Sequence, residues 1–137
     1  MAQSRPPGPA TDADALSRAV LSDTERRVVQ RLVDSLRKEL GADLRAVWLY
    51  GSRARGERAH AESDVDLIVI ADGGERRYGA RVSDLRYEIA EGEGANPVGF
   101  SVYVHDLDWL RGRREIRSFF IQEVDRDKLV LAGSGLE

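Results

Sequence analysis

The stretch that decides the reading is Gly51-Ser52-Arg53-Ala54-Arg55-Gly56, then seven residues, then Asp64-Val65-Asp66-Leu67. The preceding segment, Leu44–Tyr50, is rich in aromatic and branched residues and predicts a strand that Gly51-Ser52 ends. Asp64–Ile70 predicts a second strand, apolar on both faces, as in the middle of a sheet. A glycine and a hydroxyl residue at a strand end let the backbone come close to a phosphate. The Ser52 hydroxyl and nearby N–H groups would donate to it. Arg53 or Arg55 would neutralise a triphosphate.

Asp64 and Asp66 stand two apart on the predicted strand, so period two puts both carboxylates on one face. Two like charges in an apolar strand repel and are costly to desolvate. A divalent cation removes that cost, and magnesium prefers a few carboxylates plus substrate phosphates to an all-protein cage. A phosphate turn one strand away from a carboxylate pair therefore points to metal-assisted phosphoryl or nucleotidyl transfer.

Gly51-Ser52-x-Ala54-Arg55-Gly56 followed by Ser63-Asp64-Val65-Asp66-Leu67 resembles the signature of the DNA polymerase β-like nucleotidyltransferases. In size the chain is similar to their minimal prokaryotic members, often one partner of a toxin–antitoxin pair. The resemblance implies an α/β (α+β) fold with a small mixed sheet. It implies that Gly51, Ser52 and Arg55 bind the nucleotide and that Asp64 and Asp66 are the catalytic, metal-binding pair. It further implies magnesium or manganese as cofactor, ATP or another nucleoside triphosphate as substrate, and transfer of a nucleoside monophosphate to a hydroxyl. A HEPN-type toxin is the partner it suggests, and a small molecule such as an aminoglycoside is the other acceptor class.

The pattern departs from the family at one place. A later strand normally supplies a third carboxylate, and the strand predicted over Val98–His105 contains no acid. Ser101, or its neighbour Phe100, falls at that position; Ser101 is favoured because it lies on the strand's more polar face. A serine is a poor general base. Asp106, Asp108, Glu88 and Glu91 are the nearby acids. The alternative function is therefore a catalytically weak nucleotide- or partner-binding module.

The rest of the chain frames this core. Ser22 and Glu25 have capping-box spacing, and Val28, Val29, Leu32, Val33, Leu36 and Leu40 follow at helical period to Gly41, predicting a helix over 24–40. A second helix is expected over 76–91. Asp106 or Asp108 would cap another beginning near Trp109. A last helix includes Phe119, Phe120, Ile121 and Val124, and 129–131 is a short terminal strand. Residues 1–21, with Pro6, Pro7, Gly8 and Pro9, read as a flexible leader with an optional short helix over 12–20, and 22–137 as the domain. The element order suits a sheet with helices on one face, leaving the other for a site.

With 137 residues the chain is sized for one domain. Its net charge of −3 gives no overall attraction to nucleic acid. There is no cysteine, which excludes disulfides and thiolate metal sites. No apolar run reaches membrane-span length and the first ten residues are no secretory signal, so a soluble cytoplasmic protein is expected. His60, Arg53 and Arg58 read as loop residues, His105 as a structural hydrogen-bonding group, and Trp48 and Trp109 as core or interface. The arginines from Arg111 to Arg117 read as a solvated helix face, with an RNA or acidic-partner surface as the sharper option.

Overall fold

The computed structural model describes residues 6–56 and 64–137. Ser63, and with it the first residue of the second half of the motif, lies outside the described residues, as do Arg58 and His60. Strand β1 (Leu44–Tyr50) pairs antiparallel with β2 (Val65–Ala71) on one side and with β4 (Leu129–Gly133) on the other. Strand β3 (Phe100–His105) pairs parallel with β2. The sheet is mixed, with order β3-β2-β1-β4. This is the expected fold class, with β2 internal as its two-sided apolar sequence required.

Helix α2 (Asp23–Leu40) starts at the predicted cap: the Ser22 side chain accepts from the Glu25 N–H, and Glu25 accepts from the Ser22 N–H. Its buried stripe, Val28 to Leu40, packs with Val82, Leu85 and Ile89 of α4 (Gly74–Gly92) against Val47, Leu49, Val65, Leu67 and Val69. These strand positions all belong to one face of the sheet.

The opposite parity carries Ala46, Trp48, Ile68 and Ile70, which are buried by Leu110 of α5 (Leu107–Glu115) and Ile121 and Val124 of α6 (Phe119–Asp127). Helices therefore lie on both faces, which corrects the one-face arrangement. The reason is hydrophobic: Ile68, Ile70 and Trp48 are fully buried, and leaving them uncovered would forfeit roughly 2 kcal/mol each. Among the described residues, Asp66 and Ser101, polar side chains of this second face, lie together at one end of it.

The segment expected to be a flexible leader is, from residue 6 on, built into the body. Helix α1 (Ala13–Arg18) is capped by Asp12 and buries Ala15 and Leu16 in the main core. The Asp12 N–H donates to the Leu131 carbonyl, and Thr11 bridges to Ala132 of β4. The prolines precede this helix rather than interrupt it, and its short apolar stripe suffices once β4 offers a partner.

Candidate functional site

Gly51 ends β1 with φ 78° and ψ −161°, a conformation essentially restricted to glycine. A Cβ there would stand 3.0 Å from Asp66 Oδ2. The turn then closes into the four-residue helix α3 (Ser52–Arg55), ended by Gly56 in the left-handed region. The Ala54 and Arg55 N–H groups both donate to the Gly51 carbonyl, so these two amides are committed to the turn itself.

Asp66 lies opposite Tyr50 of β1 and opposite Ser101 of β3 in the sheet register. It shares the face of Ile68 and Ile70, as period two requires, with Asp64 one step beyond the strand start. Ser101 Oγ donates to Asp64 Oδ2 across 3.4 Å. The structure thus brings Gly51, Ser52, Asp64, Asp66 and Ser101 to one end of the sheet. Burial, and secondarily the negative charge of Asp64, push the Asp66 carboxyl above the usual carboxylate range, while Arg53 pulls the other way. Burial and then Asp66 and Tyr103 push the Tyr50 hydroxyl up as well. A carboxylate whose proton affinity is raised by burial and by a neighbouring carboxylate suits a bound cation. Among the described residues no cluster of three or more His, Cys, Asp or Glu is placed to hold one. Asp64 and Asp66, the carboxylates described at the site, fit magnesium shared with phosphate and water.

A cleft of about 140 Å³ opens beside this turn, lined by Tyr50, Gly51, Arg55, Phe120, Glu123 and Val124. Arg55 Nη1 stands 3.7 Å from Asp127 on α6. The Tyr50 and Phe120 rings meet edge to face with centroids 5.6 Å apart. Larger depressions of about 550 and 460 Å³ lie elsewhere, and neither is lined by any residue of the motif.

Several sequence candidates are engaged elsewhere or lie away from the site. Arg53 is buried and paired with Glu25. Asp106 is at the far end of β3, roughly 16 Å along the strand from Ser101, where it caps α5 by accepting from the Trp109 N–H. That corrects the idea that it reaches the carboxylate pair. Asp108 is exposed on α5 and pairs with Arg111. Glu88 and Glu91 belong to α4, which packs on the other face of the sheet. His105 stacks on Trp109 at 3.6 Å with rings 5° from parallel, so its role is packing. Trp48 is core, and its Nε1 donates to the Ser134 carbonyl at 2.8 Å. Arg114 forks onto Asp125 and also donates to the Gly135 carbonyl, which takes it out of a free basic face.

Sequence reasoning passed over Tyr50, Tyr103, Phe120 and Glu123 as neighbours of the site. The signal for the two tyrosines was present: Tyr50 directly precedes Gly51, and Tyr103 shares the polar parity of Ser101. Phe120 and Glu123 reach the site through tertiary packing of α6 and leave no local mark.

Residues 29–130 match the nucleotidyltransferase domain family. The chain belongs to this family. Among solved structures it is similar to a toxin–antitoxin complex crystallised with AMP-PNP, at 21% identity and a TM-score of 0.50, covering 78% of this chain and 72% of that one. It is also similar to a mutant of the toxin–antitoxin pair MntA–HpeT, at 20% identity and a TM-score of 0.48, covering 77% and 71%. At 21% identity the first of these likenesses speaks for the fold alone. No curated protein matches the chain. No helix among the described residues is long and apolar enough to cross a membrane.

Proposed function

We propose that this nucleotidyltransferase-family chain transfers a nucleoside monophosphate, AMP from ATP, to a hydroxyl on a protein or a small molecule. The observation that carries the reading is the placement of Asp64 and Asp66 on one face, directly beside the Gly51-Ser52 turn. Gly51 lets the triphosphate approach the backbone, and the Ser52 hydroxyl donates to it. Arg55, at the mouth of the cleft beside Asp127, turns its guanidinium to the phosphate. Asp64 and Asp66 hold magnesium or manganese. When bound, that ion neutralises phosphate charge and lowers the pKa of a coordinated hydroxyl. The acceptor oxygen bonds the α-phosphorus, the bond to the β-phosphate oxygen breaks, and pyrophosphate leaves. The hydroxyl proton passes to water, since Ser101 is no base.

The toxin–antitoxin structures motivate a protein acceptor, a HEPN-type toxin being the first to try. The test is incubation of the full chain with α-labelled ATP, magnesium and candidate toxins or aminoglycosides. Label moving to an acceptor, and lost in Asp64→Ala, supports the reading. No transfer to any acceptor, with Asp64→Ala behaving as wild type, sinks it.

Ser101 favours a second reading: a partner-binding module that holds nucleotide and turns over little. It predicts magnesium-dependent nucleotide binding without pyrophosphate release.

A further inference from the structure

Arg53 is the charged side chain that the fold buries among the described residues, at 4% exposure. Its guanidinium forks onto Glu25, with Nη1 to Oε1 at 2.7 Å and Nη2 to Oε2 at 3.0 Å. Nη1 also donates to the Val20 carbonyl at 3.2 Å, and the Val20 N–H donates back to the Arg53 carbonyl at 3.0 Å. Glu25 Oε1 accepts from the Ser22 N–H at 2.8 Å, so the same carboxylate closes the capping box of α2. Residues 20–25, the end of the α1–α2 connection and the first turn of α2, are thereby clasped to α3, the short helix that begins at Ser52.

A buried ion pair is a poor device for stability alone, because desolvating two charges offsets most of their attraction. It is a good device for fixing geometry, since a bidentate fork allows one arrangement. Here the fork is anchored on a long helix and ends one residue from the Gly51-Ser52 turn. The sequence leaves Arg53 open as a phosphate ligand, yet its guanidinium is engaged by Glu25 and Val20.

We propose that Arg53 is a positioning residue for the Gly51-Ser52 turn, acting through Glu25 and the 20–25 segment, and that it does not itself contact phosphate. The consequence for nucleotide rests on the nucleotidyl-transfer reading; the clasp itself does not.

The two roles separate on Glu25. If Arg53 were a phosphate ligand, releasing it by Glu25→Gln would leave nucleotide binding unchanged or tighten it. If Arg53 positions the turn, Glu25→Gln weakens binding as Arg53→Met does. The experiment measures magnesium-dependent binding of a non-hydrolysable ATP analogue to the full-length wild type, Glu25→Gln, Arg53→Met, Arg53→Lys and the Glu25→Gln/Arg53→Met double variant. Each of Glu25→Gln and Arg53→Met is expected to weaken binding about tenfold, and the double variant no more than the worse single, as for residues acting as one unit. Arg53→Lys falls between, because it keeps the charge and loses the fork. Amide hydrogen exchange supplies a readout independent of nucleotide: Ala54 and Arg55 should exchange about tenfold faster in Glu25→Gln while Leu85 and Ile89 of α4 stay at the wild-type rate.

Wild-type binding in Glu25→Gln, or additive losses in the double variant, overturns the proposal. Should Arg53→Met fail to fold, Glu25→Gln carries the test alone. Should the wild type bind no analogue, the nucleotide reading fails and exchange decides the clasp: a rise confined to the turn supports it, and no rise or a uniform one overturns it.

Discussion

Ser101 stands directly across the parallel β2–β3 ladder from Asp66, and its hydroxyl donates to Asp64 at 3.4 Å. The position that would complete a trio of carboxylates is therefore filled by a neutral, weakly engaged donor. Replacing it by Asp should complete the cation site and raise the rate of label transfer by about a hundredfold, the lower end of what general-base assistance contributes. Ser101→Ala should change the rate by less than about threefold, since a 3.4 Å hydrogen bond is at the long end of the range. Transfer rates of the two variants at saturating magnesium check this, and a Ser101→Asp protein no faster than wild type counts against it.

Gly51→Ala should abolish transfer and weaken nucleotide binding while the fold persists. The added methyl would meet Asp66 Oδ2 at 3.0 Å, in a backbone conformation with φ 78°. Strain of this kind costs about 1–3 kcal/mol, small enough for the core to tolerate. Circular dichroism and nucleotide titration on the same sample separate the two effects.

Asp66 gives a pH and metal prediction with a definite sign. Its folded-state pKa is raised, by burial first and Asp64 second. The native state therefore holds its proton more tightly than the unfolded chain, and this contribution to stability is lost as pH rises through the folded pKa. At neutral pH without metal the ionised carboxylate is a net cost. Asp66→Asn should raise the melting temperature by about 3 °C in chelator, and magnesium should stabilise wild type but not the variant. Scanning calorimetry with and without magnesium measures both; a variant that melts below wild type in chelator contradicts the assignment.

Much of this was legible in sequence. The capping box at Ser22 and Glu25, the limits of β1, and the shared face of Asp64 and Asp66 all follow from local pattern. The two-sided apolar run of β2 also contained the information that both faces of the sheet are covered. An open second face was incompatible with Ile68 and Ile70 pointing into it. The partners of Arg53 and the contribution of α6 were not legible, because Glu25 and Phe120 reach the motif only through packing between distant segments. The order of residues 6–21 was hidden by prolines that end before the helix starts, and its cause is a bridge to Ala132 some 120 residues away.

His105 provides a control for residues outside the site. Burial lowers its pKa, Glu75 and Asp106 oppose that, and Arg113 adds to it. A group whose folded pKa is depressed contributes stability above its unfolded value that is lost as pH falls through the folded one. His105→Phe, which keeps an aromatic ring on Trp109, should lessen the loss of stability from about pH 7 downward while transfer stays within about twofold of wild type. Urea denaturation at several pH values reads the first, and the label assay the second. A large loss of transfer would contradict the packing role of His105.

The measurement that bears most directly on the central claim is label transfer from α-labelled ATP in magnesium, compared between wild type and Asp66→Asn. Label is expected to become covalently attached to an acceptor with release of unlabelled pyrophosphate, and Asp66→Asn to lower the rate by about a hundredfold or more. Equal label transfer by the two proteins would contradict that claim.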